Sequence, residues 1–69
     1  MSNVKLLKSQ IENSGYKLKY IAAEMGITYM SLLNKLNGKT DIKAKEISVF
    51  KKLLDLDPEM VSEIFFKDE

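Results

Sequence analysis

Residues 18–36 read Leu18-Lys19-Tyr20-Ile21-Ala22-Ala23-Glu24-Met25-Gly26-Ile27-Thr28-Tyr29-Met30-Ser31-Leu32-Leu33-Asn34-Lys35-Leu36. Leu18, Ile21, Ala22 and Met25 recur at helical spacing, and Leu32 and Leu36 do so again after a short break. The pattern predicts two helices, about Leu18–Met25 and Tyr29–Leu36. Only Gly26-Ile27-Thr28 separates them, so the two must cross steeply. Each residue near the break has a physical job. Ala22 is small and lets the helices approach. Gly26 permits the positive φ of a sharp turn. Ile27 anchors the turn in the core, and Thr28 offers a hydroxyl cap to the second helix. Asn37-Gly38 then stops that helix.

Working outward, the same spacing predicts three more helices. The first covers about Val4 to Asn13, with Ser2 or Asn3 as its cap; Val4, Leu7 and Ile11 face inward, and Gly15 ends it. After Lys39, Thr40 and Asp41, Ile42 plugs the core. A fourth helix follows over about Ala44 to Leu54, with Ile47, Phe50, Leu53 and Leu54 inward. Asp57-Pro58-Glu59 is a strong start signal for a fifth, which carries Met60, Val61, Ile64 and Phe65. Phe65 and Phe66 cannot both turn inward, so one is core and the other is available to a dimer interface with Val61 or Met60. Lys67-Asp68-Glu69 reads as a frayed tail. The expected fold class is all-α: one compact five-helix domain over residues 1–69.

Composition narrows the chemistry. At 69 residues the chain is near the lower size limit for independent folding, and 45% apolar with 30% charged residues is a globular balance. There is no cysteine and no histidine, which excludes disulfides, thiolate or imidazole metal sites and His-dependent catalytic sets. Glu24, Asp41 and Glu46 stand as isolated carboxylates, so neither catalytic residues nor a cofactor are expected. No apolar run approaches a membrane span, and no signal peptide is visible, so an intracellular, cytoplasmic protein is expected. The formal net charge of +1 hides an asymmetry. Residues 1–45 carry eight lysines against Glu12, Glu24 and Asp41, a net of +5, while residues 46–69 carry three lysines against seven acids, a net of −4. A basic half can face phosphates while the acidic half faces away.

The stretch Gly15-Tyr16-Lys17-Leu18-Lys19-Tyr20-Ile21-Ala22-Ala23-Glu24-Met25-Gly26-Ile27-Thr28, followed by Leu32 and Asn37-Gly38-Lys39, resembles the Cro- and repressor-like helix-turn-helix family of phages and bacteria, the XRE family. The resemblance extends over nearly the whole chain. It implies a lambda-repressor-like DNA-binding domain and a sequence-specific transcriptional regulator, a repressor of Cro type in the bacterial nucleoid. The implied partners are double-stranded DNA and a second copy of the chain, with no membrane or small-molecule substrate. It makes Tyr29–Leu36 the helix that enters the major groove. Thr28, Tyr29, Met30, Leu33 and Asn34 then meet base edges, and Lys17, Lys19, Asn37, Lys39 and Lys43 meet phosphates. The chain departs from the family where Gln, Arg or Ser usually stand: it has Leu18, Tyr29 and Met30, and no arginine anywhere. Recognition is therefore expected to rest on thymine-methyl packing, one Asn34 contact and DNA shape.

Plainer readings stand beside these. Periodicity assigns Leu32 and Leu36 to the core and leaves Tyr29 and Leu33 divided between core and groove. Lys17, Lys19, Lys35 and Lys39 serve either as solubilising charge or as phosphate contacts. Tyr16 and Tyr20, four apart, pack together. The competing function is a protein-interaction module that uses the apolar face of Tyr29, Met30 and Leu33.

Overall fold

The structure, a computed structural model, describes residues 2–67. Among them there is no strand, and the chain forms α1 (Val4–Ser14), α2 (Leu18–Met25), α3 (Tyr29–Leu36), α4 (Ala44–Leu53) and α5 (Pro58–Val61). The last runs without a break into a π-helical turn, Ser62–Phe66. No helix among the described residues is long and apolar enough to cross a membrane. Asp68 and Glu69 of the expected frayed tail lie outside the described residues; Lys67 pairs with Glu63 at 3.1 Å.

The helix starts follow their side chains. Asn3 Oδ1 accepts from the Leu6 N–H at 3.1 Å, Thr28 Oγ1 from the Ser31 N–H at 3.0 Å, and Asp57 Oδ1 from the Met60 N–H at 2.8 Å. Lys17 cannot accept such a bond, and α2 begins without a side-chain cap. The chain's start is also tied to its end, because the Asn3 N–H donates to the Ile64 carbonyl.

The helix ends share a device. At Gly26 the backbone enters the left-handed region, φ +71. The Gly26 N–H then reaches the Ala23 carbonyl at 3.1 Å, and the Ile27 N–H reaches the Ala22 carbonyl at 3.1 Å. Two carbonyls that the helix leaves unpaired are satisfied, and Ile27 is delivered to the core. The end of α4 uses the same turn with Asp55 at φ +51, and the Leu56 N–H reaches the Lys51 carbonyl at 3.0 Å. This turn ends α4 at Leu53, one residue short of the expected Leu54, and buries Leu56, which periodicity alone does not single out.

The core joins all the helices. Leu7 and Ile11 come from α1, Ile21 and Ala22 from α2, Leu32 and Leu36 from α3, and Phe50 from α4. Ile64 and Phe65 complete it from the π-helical turn. Phe65 stacks on Phe50 with ring centroids 6.1 Å apart, whereas Phe66 stays 67% exposed. Leu18, Met25, Ile42, Ile47, Leu53 and Leu54 pack around this centre, half-buried.

A Cβ at Gly26 would meet nothing within 4 Å, so substitution there strains only the backbone. Gly26→Ala is expected to lower stability by about 1–2 kcal/mol in urea unfolding. Asp55→Gly should act in the opposite direction, raising it by up to about 1 kcal/mol, because it relieves the left-handed strain at that position.

Candidate nucleic-acid interface

Both helices of the α2–turn–α3 unit expose residues: Lys19, Tyr20, Ala23 and Glu24 on α2, and Tyr29 and Met30 at the start of α3. Leu32 and Leu36 are buried and fix the helix to the core. Tyr29 is 45% and Met30 64% exposed, so neither is a core residue. Leu33 and Asn34 are half-buried, and Thr28 is exposed beside its capping bond. In a helix, Tyr29, Leu33 and Asn37 follow one another at four-residue steps, and Met30 and Asn34 form the adjacent line. Four of the five residues expected at base edges therefore occupy one continuous surface of two helical turns, and Thr28 caps its start.

The start of α2 borders this surface. Tyr16 and Leu18 line an open groove with Leu33, Leu36 and Asn37 of the α3 end, and with Lys8, Ile11, Glu12 and Gly15 of the α1 end. The groove holds about 630 Å³. Tyr16 and Tyr20 stack with centroids 5.2 Å apart, bridging the approach to α2 and its first turn. Lys17 and Lys19 are exposed on this same segment. Lys8 was not among the expected contacts, yet its ammonium lies 3.4 Å from Asn37 Oδ1. Those residues are 29 positions apart, so no local pattern signals the pairing.

Beyond α3 the chain turns at Gly38, and the Lys39 N–H bonds to the Asn34 carbonyl at 2.9 Å. Lys39 is exposed next to Asn37. Lys43 is exposed but stands apart from the groove, at the start of α4.

Lys35 corrects one expectation. It is the single charged residue of α3, and it is neither solubilising nor free to meet a phosphate. It is 6% exposed, with its ammonium 3.1 Å from Glu46 Oε1 and 3.0 Å from the Asp41 carbonyl. Glu46, expected as an isolated carboxylate, is 5% exposed and also accepts from the Lys43 N–H at 2.8 Å. The sequence carries only part of this signal: Lys35 is three residues after Leu32, and Glu46 is four before Phe50, which puts both on buried stripes, while their charges argue for solvent. Burial alone would push the Glu46 carboxyl up. The Lys43 N–H and the Lys35 ammonium outweigh it and hold the group below its ordinary value.

The exposed α3 surface thus offers an aromatic ring, a thioether, two hydroxyls, an amide and alkyl groups, and no ionised group. Exposed lysines stand at the start of α2 and just past the end of α3. The arrangement is that of a small all-α domain with a neutral helix face set among cationic flanks. The chain belongs to the family described as protein of unknown function (DUF739), whose model matches residues 3–68. No curated protein and no solved structure matches it.

A lowered carboxyl contributes stability that is present above the unfolded-state pKa and is lost as pH falls through the folded one. Urea unfolding of the native chain and Glu46→Gln should therefore differ most near neutral pH. The gap should narrow as pH falls below the ordinary glutamate value of 4.5. Lys35→Ala leaves Glu46 buried without its cation and is expected to cost about 3 kcal/mol or more. The pair Lys35→Met with Glu46→Leu should recover most of that loss.

Proposed function

We propose that the protein is a sequence-specific DNA-binding regulator of the helix-turn-helix kind, a repressor of Cro type within the XRE class, with α3 as the helix that enters the major groove. The observation that carries this reading is the exposure of Tyr29 and Met30 at the capped start of α3. Large apolar side chains held out on a rigid helix end need a partner surface. A steeply crossed helix pair with a three-residue turn is the geometry that presents a helix end to a groove. Thr28, Tyr29, Met30, Leu33 and Asn34 take the base edges. Lys17, Lys19, Asn37 and Lys39 take the phosphates on either side, and Lys43 serves where the backbone passes the start of α4. The uncapped amides at the start of α2 add donors of the kind that bind phosphate.

The molecule extends 27 × 24 × 20 Å. Successive major grooves on one side of a duplex lie about 34 Å apart, which one copy with one α3 cannot span. On this reading two copies occupy a two-fold related site, with Phe66, exposed outside the α3 surface, as the apolar residue offered to the contact between them.

A second reading has its own support: the open groove lined by Leu18, Leu33 and Leu36 suits an apolar protein segment. Salt separates the two readings, because phosphate contacts release counterions and apolar contacts do not.

In vitro selection from random duplexes near physiological salt should enrich a palindrome with half-sites one helical turn apart. Lys39→Ala should weaken binding uniformly across sequences and reduce the log–log salt slope by about 1. Retention of no duplex even at low salt would contradict the proposal and favour a protein partner.

A further inference from the structure

We infer that α3 reads thymine methyl groups and makes no bidentate contact to guanine, so that the half-site is an A·T-rich duplex recognised through its methyl edge. The inference rests on the DNA-binding reading and adds the chemistry of what is read. Guanine shows two acceptors, N7 and O6, in the major groove, and the side chains that bond both at once are those of arginine and lysine. The chain has no arginine. The one lysine of α3, Lys35, is 6% exposed and spends its donors inward on Glu46 and the Asp41 carbonyl. No cation on α3 is left to meet a base.

The largest side chains that remain outward are an aromatic ring and a thioether. Met30 is 64% and Tyr29 45% exposed, and Leu33 follows Tyr29 by one turn on the same line. In the major groove the C5-methyl of thymine is the one apolar group that such side chains can cover. Asn34, one turn after Met30, carries the amide that pairs with adenine N6 and N7, and adenine brings a thymine on the opposite strand. The lysines that attract DNA, Lys17 and Lys19 before α3 and Lys39 after it, lie off the helix. Their charge complements the phosphates without distinguishing bases. Attraction and discrimination are thus assigned to different residues.

The test uses the duplex that selection enriches. Uracil replaces thymine throughout the half-sites in one sample, and 7-deazaguanine replaces guanine in another. Affinities are then compared by fluorescence anisotropy at one salt concentration. Uracil should weaken binding about three- to five-fold for each methyl covered, and 7-deazaguanine should leave it unchanged. The Tyr29→Ala/Met30→Ala double variant, altered only at exposed positions, should bind both the thymine and the uracil duplex with nearly equal affinity. Tolerance of uracil, or a loss with 7-deazaguanine, would overturn the inference while leaving DNA binding intact. A uracil penalty that the double variant keeps in full would place the effect in DNA shape and overturn it as well. Failure to bind any duplex at low salt would remove the DNA-binding reading itself, and this inference with it.

Discussion

One carboxylate oxygen, Oε1 of Glu46, holds the end of α3 to the start of α4. It meets the Lys35 ammonium at 3.1 Å and the Lys43 N–H at 2.8 Å, and the same ammonium donates to the Asp41 carbonyl between them. Burying two charges costs several kcal/mol per ion, an expense recovered only when every polar atom finds a partner. Among the described residues no buried side-chain nitrogen or oxygen lacks one. Such a pair adds little stability over a well-packed apolar one, while breaking it by removing one partner is costly. Here it ties the loop at Asp41 and the cap of α4 to α3.

The same constraint decides what α3 can offer to a partner. Drawing Lys35 inward leaves the helix neutral and turns its outward chemistry over to Tyr29, Met30, Leu33 and Asn34. The opposite end of the helix is fixed by backbone bonds and Thr28, so those side chains project from a start that has little freedom to shift. The groove between α1, α2 and the end of α3, which Lys8 and Glu12 also line, leads from that surface towards the stacked Tyr16–Tyr20 pair. Cationic groups remain at the edges, where they act over distance and without close fit.

Most of the fold was legible because small helical domains write their core as a 3.6-residue period and their ends as glycine, asparagine or proline. Gly15, Gly26 and Gly38 all take positive φ where the sequence places helix ends. The period also separated Phe65 from Phe66 in principle, though only the π-helical turn shows which goes inward. Three things were hidden. Asp55 replaces glycine at a left-handed turn, so the end of α4 and the burial of Leu56 carry no glycine marker. Lys35 and Glu46 sit on apolar stripes, but their charge argues for solvent until both are seen to meet. Lys8 joins the groove through a contact across 29 residues, which no window of sequence contains. For the candidate site, periodicity alone left Tyr29 and Leu33 undecided. The difference between 45% exposure for Tyr29 and half-burial for Leu33 comes from how α2 and the end of α1 border α3.

On the proposed reading, α3 is the surface that meets DNA. Backbone amide chemical shifts, followed by NMR as a short A·T-rich palindromic duplex is added to the isotope-labelled chain, test it residue by residue. The account predicts that the largest changes fall on Thr28 to Asn34, with smaller ones at Lys17–Lys19 and Asn37–Lys39, and only slight ones on α4 and α5. Changes concentrated on α4 and α5, with α3 silent, would contradict it.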